Sequence, residues 1–252
     1  MVKRALLIGI NYKGTNQQLY GCIDDVINIK KVLIEHYGFT ESDITMMTDD
    51  SAPHNKPTKV NMNKAINDLV VSGAGELYFH YSGHGSRLSG PSRFNNNITT
   101  LTGDNGQSTA LVPLDWQRAG FISDKDLYTN LVSKVKGNQK LWCVFDCCNS
   151  GTGLNLRWVL TPNGLVKGGN YAPSLGPVVL LSASKDNQTA SEVAGKGALT
   201  TALIAVLAQH NYQITCDRLL PAVVSYIRDN KISVQECIMT FGNYQGVDYP
   251  WL

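Results

Sequence analysis

Six short runs rich in β-branched and aromatic residues alternate with segments of helical period along this chain, and that alternation restricts its fold more than any other feature. The predicted strands are Arg4–Ile10, Asp43–Met47, Glu76–Tyr81, Leu141–Asp146, Val178–Ser182 and Glu236–Thr240. Helices are predicted at Ile23–Tyr37, Met62–Val71, Asp124–Lys134, Ala198–Gln209 and Leu219–Asp229. A helix between two strands carries the chain back to the same end of the sheet, so the strands run mainly parallel and helices cover both faces. The pattern is clearest in the first helix, where Val26, Ile29, Val32 and Leu33 share a face and His36-Tyr37-Gly38 forms the stop. With 252 residues there is enough chain to bury one substantial α/β core.

Two stretches break the rhythm and read as long loops: Ser86–Ser108, rich in Ser, Asn, Thr and Gly, and Ser150–Gly176, punctuated by Gly and Pro. Both follow a strand, and ligands of open α/β sheets collect at the carboxyl ends of strands, so these loops are expected to surround a site. Lys and Arg number 22 against 20 Asp and Glu, and like charges do not cluster, so neither nucleic acid nor a membrane surface is an expected partner. The opening Met1–Ile10 puts charge before an apolar run, but the run is too short for a signal peptide and no cleavage site follows. No apolar run reaches the about 18 residues of a membrane span. Cys22, Cys143, Cys147, Cys148, Cys216 and Cys237 lack the spacing of a disulfide framework or a zinc site, which fits reduced thiols in a cytosol-like compartment.

Two of the strands end in chemistry. Glu76-Leu-Tyr-Phe-His-Tyr-Ser-Gly-His84-Gly85 delivers an imidazole at a strand tip, beside glycines that let a substrate backbone approach. Leu141-Trp-Cys-Val-Phe-Asp146-Cys147-Cys148-Asn149-Ser150-Gly151 does the same with a thiol. The thiolate is the attacking species, and a free thiol of pKa about 8.5 is only a few per cent ionised at neutral pH. A neighbouring imidazole lowers that pKa, or protonates the leaving amine afterwards. The amides of Gly85 and Cys148 follow strand ends where N–H groups are free, and are expected to hold a developing oxyanion.

Read in order, Leu19-Tyr-Gly-Cys-Ile-Asp-Asp25, Tyr81-Ser-Gly-His-Gly85, Leu111-Val-Pro-Leu-Asp115, Ile122-Ser-Asp-Lys-Asp-Leu127, Asp146-Cys-Cys-Asn-Ser-Gly151 and Leu181-Ser-Ala-Ser-Lys-Asp-Asn-Gln-Thr189 resemble the blocks of the metacaspases, over nearly the whole chain. The layout is similar to a type I form without prodomain or long insert, and the Gln-Ala-Cys signature of true caspases is missing. The resemblance implies a caspase-like three-layer sandwich with a mainly parallel six-stranded central sheet. It implies one peptidase domain over residues 1–252, with a large-subunit-like half at 1–156, a linker loop at 157–176 and a small-subunit-like half at 177–252. The implied activity is that of a monomeric cysteine endopeptidase acting on proteins or peptides, through a thioester on Cys148 with His84 as the other member of the dyad. It also implies cleavage after Arg or Lys, with Asp25, Asp146 and Ser82 binding the basic side chain and Cys22 lining the pocket. Two partly buried carboxylates favour a guanidinium by roughly 3–5 kcal/mol over a mismatched side chain.

The chain departs from the family pattern at two places. Asn149 stands where a His usually follows the nucleophile, which leaves the dyad intact. The positions matching the family's calcium cluster read Asp124, Lys125 and Asn155, with Asp104 a fourth candidate. Calcium takes 6–8 oxygen ligands, so this set is degraded; the Lys125 ammonium is expected to replace the ion, and no cofactor is expected to be required. Family members often process themselves between the halves, where Arg157 and Lys167 are the candidate sites.

Other assignments of these residues stay open on sequence grounds. Asp25 also suits a charge at a helix N-terminus, and Asp146 a partner for loop amides. Cys147 should point away from Cys148, as neighbours on a strand do, while Cys143, Cys216 and Cys237 read as core residues. His80 reads as a packing histidine, and His36, His54 and His210 as surface residues. The rival enzymes are an asparagine-specific or a separase-like peptidase; the rival from another class is a non-catalytic caspase-like module that regulates or binds partners. A dinucleotide site is excluded by the lack of GxGxxG.

Overall fold

The computed structural model describes residues 1–88, 108–147, 153–168, 171–184, 192–193, 196–232, 236–243 and 249–252. In chain order its elements are β1 (Lys3–Gly9), α1 (Cys22–Tyr37), β2 (Ile44–Thr48), α2 (Lys59–Val71), β3 (Glu76–Ser82), β4 (Gly85–Leu88), β5 (Ser108–Leu111), α3 (Trp116–Ala119), β6 (Ile122–Ser123), α4 (Asp124–Asn130) and β7 (Lys140–Asp146). They continue with β8 (Trp158–Thr161), β9 (Gly164–Lys167), β10 (Val178–Ser184), β11 (Glu192–Val193), β12 (Lys196–Gly197), α5 (Ala198–Gln209), α6 (Cys216–Asp229) and β13 (Glu236–Phe241). Among the described residues no helix is long and apolar enough to cross a membrane.

The central sheet has the strand order β2-β1-β3-β7-β10-β13-β8-β9. The first five strands run parallel, and β13, β8 and β9 are each antiparallel to the neighbour before them. Alternate residues of each strand feed opposite cores. Leu6, Ile8, Phe79 and Phe145 pack with Met62 and Ile66 of α2 and Leu127 of α4. Leu7, Tyr78, Val144 and Leu181 pack with Val26 and Ile29 of α1, Leu203 of α5 and Leu219 of α6. Burial on both faces is why these strands read as continuous apolar runs instead of alternating ones.

All six predicted strands lie in this sheet, but among the described residues it holds eight. The extra pair is β8–β9, inside the stretch 157–176 expected to be a linker loop, and it joins the sheet through Thr240↔Val159 and Phe241↔Trp158. Gly and Pro marked the stretch as loop. The β-prone Trp158-Val-Leu-Thr161 followed by the two-residue turn Pro162-Asn163 is the hairpin signal that outweighs them. The ends of the other expected loop, Ser86–Ser108, are also strands: β4 pairs with β5, and β5 with β6, in a small antiparallel sheet. Its interior, 89–107, lies outside the described residues. The third predicted helix, Asp124–Lys134, is helical only to Asn130 and finishes as a separate 3₁₀ turn at Val132–Lys134.

From β1 the chain builds outward to β2 on one side and then to β3 on the other, so the strand order reverses between β1 and β3. A crevice forms at the carboxyl ends of strands at such a point. Here the three central strands end level, with Gly9 opposite Ser82 and Ser82 opposite Asp146. Gly9 also lets α1 start against the sheet: a Cβ there would overlap the Cys22 carbonyl oxygen and the Val26 side chain. That close approach brings the first turn of α1, with Asp25, to the end of β3.

Candidate active site

His84 follows β3 by two residues and is held from several sides. Its backbone N–H donates to the Tyr12 hydroxyl at 3.0 Å. Its carbonyl accepts from the Tyr81 hydroxyl at 2.7 Å and from the Val112 N–H at 3.2 Å. The imidazole packs against the Tyr12 ring, with centroids 4.7 Å apart, and Nε2 lies 2.7 Å from the Gln17 carbonyl oxygen. A carbonyl can only accept, so Nε2 carries the proton and Nδ1 keeps the lone pair available for chemistry. The segment bearing Gln17 is anchored by Asn11. The Asn11 side chain accepts from the Cys22 N–H at 3.0 Å and the Ile23 N–H at 3.3 Å and donates to the Tyr20 carbonyl at 3.3 Å, while the Asn11 backbone N–H donates to Asp49 at 2.8 Å. Asn11 thus caps α1 from a distance, in place of Gly21, which has no side chain to do so.

Gly85 opens β4 opposite Leu111. Because the Val112 N–H bonds the His84 carbonyl, Gly85 and Leu111 form a non-hydrogen-bonded pair, and the ladder makes no use of the Gly85 N–H. Cys148, the expected nucleophile and second oxyanion donor, lies outside the described residues, as do Asn149 and Asp104. It is the second residue after the end of β7, as His84 is the second after β3.

Beside these strand ends sit two carboxylates. Asp25 is 1% exposed, accepts from the Ser82 hydroxyl at 2.6 Å and takes the Gly197 N–H at 3.1 Å on both oxygens. Asp146 is 8% exposed and accepts from both the amide and the hydroxyl of Thr200 at 2.7 Å. The two converge on Gly197, where a Cβ would overlap Asp146 Oδ2 and Asp25 Oδ2 together, so only glycine fits at the start of α5. Burial, followed by the negative charge of Asp146, pushes Asp25 up to about 7 against the bonds from Ser82 and Gly197. Burial raises Asp146 as well, opposed by its donors on α5. Asp25 thus ties the first turn of α1 to β3 and to the start of α5, and Asp146 accepts from the backbone and hydroxyl of Thr200. A buried pair that resists carrying two negative charges is relieved by a cation.

The described thiols offer no competing nucleophile with a favourable setting. Burial raises Cys143 well above the usual thiol range and pushes Cys216 and Cys237 up to about 12. Cys147 packs into the core under α2 and α4, away from the carboxylates, as the strand alternation predicts. Cys22 is buried beneath the start of α1. Cys237, expected in the core, is half-buried and feels the charge of Asp146.

At the expected calcium position, Asp124 takes the Ser108 hydroxyl and the Lys125 N–H on one oxygen and the Thr109 N–H on the other. Lys125 and Asn155 add no carboxylate, so the described donor set does not fit calcium. Among the described residues no group of three or more His, Cys, Asp or Glu side chains converges. The candidate self-cleavage residues lie on the β8–β9 hairpin: Lys167 pairs with Trp158, and the Arg157 carbonyl accepts from the Gly168 N–H at 2.8 Å. Cleavage there would require the hairpin to open.

Sequence reasoning missed Tyr12, Asn11, Gln17, Gly197 and Thr200. Asn11-Tyr12 carried a signal, being the first polar residues after a buried strand, but Gln17 acts through its main chain, which any residue supplies.

Comparison with known proteins bears on the same region. Residues 3–157 match the family model described as metacaspase, peptidase C14 domain. The chain is 37% identical over 183 residues to Metacaspase-1 of Cryptococcus neoformans, covering 71% of this chain and 38% of that protein. It is 35% identical over 190 residues to Metacaspase-1B of Neurospora crassa, covering 73% of this chain and 42% of that protein. The chain thus spans about two fifths of the length of the curated relatives it matches. A solved structure of a protein from Geobacter sulfurreducens superposes with a TM-score of 0.69 at 20% identity, covering 99% of this chain and 97% of that one.

Proposed function

This chain belongs to the metacaspase family of C14 peptidases, and from that premise we propose that it is a cysteine endopeptidase cutting after Arg or Lys. His84 Nδ1 takes the proton of the Cys148 thiol, the thiolate attacks the scissile carbonyl, and collapse to the thioester expels the amine, which takes that same proton from Nδ1. The same imidazole then draws a proton from the water that hydrolyses the thioester. The Gly85 and Cys148 amides hold the oxyanion. The observation that carries the basic preference is the convergence of Asp25 and Asp146 on Gly197, on the floor beside the strand ends. A guanidinium or ammonium entering there meets two carboxylates already fixed by Ser82 and Thr200; a neutral or acidic side chain leaves them uncompensated.

The donor set around Asp124 supports an enzyme that works without calcium, with Lys125 supplying the positive charge. A panel of fluorogenic peptides identical except for Arg, Lys or Asp before the reporter, each run with chelator and with millimolar calcium, tests both statements. Arg and Lys peptides should be cleaved and the Asp peptide spared, at rates equal within about twofold in the two buffers. Inertness toward the whole panel would favour the non-catalytic module, and a several-fold rise with calcium would refute calcium independence.

A further inference from the structure

One buried histidine has no part in the reaction above. His80 lies on β3 two residues before Ser82, on the same face of the sheet, and is 0% exposed. Its Nε2 is 3.2 Å from the Thr200 hydroxyl oxygen, which is itself 2.7 Å from Asp146 Oδ2. Toward an ionised Asp146, which can only accept, the Thr200 hydroxyl spends its single proton and is left to accept from His80. Nε2 must then carry the imidazole proton, and Nδ1 is bare. This agrees with Nδ1 being a buried nitrogen with no hydrogen-bond partner among the described residues. Burial lowers His80 to about 3, so the ring is a neutral, one-proton donor throughout the working pH range.

From this chain of bonds we propose that His80 is a positioning residue for the cation pocket, holding the Asp146 carboxylate through Thr200 in the rotamer that receives the basic side chain. The proposal rests on the reading of Asp25 and Asp146 as the cation-binding pair. Thr200 is suited to the relay because it sits in the first turn of α5, where its free N–H reaches the same Asp146 oxygen at 2.7 Å. With both Thr200 donors on Oδ2 and His80 behind the hydroxyl, strand β3 and helix α5 together fix a side chain of β7. Asp25 has an equivalent brace in Ser82 and Gly197, so each carboxylate is held by its own pair of neighbours.

Steady-state kinetics on an arginyl peptide with wild type, Thr200→Val, Thr200→Ser, His80→Leu and the double variant Thr200→Val/His80→Leu test this, alongside thermal unfolding of each protein. Thr200→Val keeps shape and backbone N–H but breaks the relay, and should raise KM about tenfold with kcat changed by less than about twofold. Thr200→Ser should restore the wild-type KM. His80→Leu leaves the Thr200–Asp146 bond in place and should raise KM by less than Thr200→Val, and the double variant should be no worse than Thr200→Val, because without the hydroxyl His80 has nothing to act through. An active wild type with unchanged KM in a folded Thr200→Val protein overturns the relay alone, as do additive losses in the double variant. If His80→Leu does not fold, the Thr200 pair decides. A wild type inert toward arginyl peptides overturns the pocket reading and the relay with it.

Discussion

Cys148→Ala is expected to abolish turnover of arginyl peptides, and His84→Ala to lower kcat by about 10²–10⁴-fold with the fold intact. The two losses differ because the residues do different work. Without the sulfur no thioester can form, and no neighbouring thiol substitutes: Cys147 is packed into the core, and Cys143 is buried with its thiol held protonated. Without the imidazole the thiol still ionises weakly at high pH, so His84→Ala should recover part of its rate as pH rises toward the ordinary thiol pKa of about 8.5. Initial rates of the three proteins from pH 6 to 9, with circular dichroism to check folding, measure this. Equal activity of Cys148→Ala and wild type would remove Cys148 from the mechanism.

Replacing either pocket carboxylate should cost about two to three decades in kcat/KM on arginyl peptides, since breaking one side of a buried charge pair is worth roughly 3–5 kcal/mol. The pH dependence has a definite sign. In the empty pocket the crowded pair holds a proton up to about 7, whereas an unfolded Asp releases it near 3.8. Between those values the folded state binds more protons than the unfolded one, so this pair lowers stability progressively as pH rises from about 4 to about 7. A bound cation reverses the preference by favouring the ionised pair. Benzamidine should therefore bind Cys148→Ala more tightly at pH 8 than at pH 6 and release a proton on binding at pH 6, both readable by calorimetry in buffers of different ionisation enthalpy. Asp25→Ala should weaken binding and flatten this dependence. Asp146→Ala removes the neighbouring charge but leaves the burial that raises Asp25 most, so it should reduce this dependence without abolishing it. Affinity that is independent of pH, or that falls as pH rises, contradicts the pocket.

The sequence disclosed most of this arrangement where one residue type in one context had a single physical use. The runs that became β1, β3, β7 and β10 are apolar on both faces, and only a buried parallel strand between two helical layers accommodates that. Asp25 and Asp146 were singled out through the resemblance, and that both are buried and hydrogen-bonded at the strand ends emerges only from the structure. The β8–β9 hairpin was not legible, since its Gly and Pro content masked four β-prone residues at a sheet edge where partial burial suffices. Gln17 was invisible because it acts through a carbonyl common to every residue. Thr200 and Gly197 depend on where α5 begins relative to β7, a contact across 54 positions between Asp146 and Thr200 that no local pattern encodes. His80 did pack in the core, as its place in the strand indicates, but its neighbour there is a hydroxyl that leads to the pocket.

The central claim is that Cys148 is the nucleophile and that the Asp25–Asp146 pair selects a cationic side chain. It is tested most directly by treating the protein with two peptidyl acyloxymethyl ketones, one ending in Arg and one in Asp, and locating any adduct by peptide mass mapping. The account predicts a single adduct on Cys148 from the Arg probe alone, prevented by excess benzamidine. Labelling of another cysteine, or equal labelling of Cys148 by the Asp probe, would contradict it.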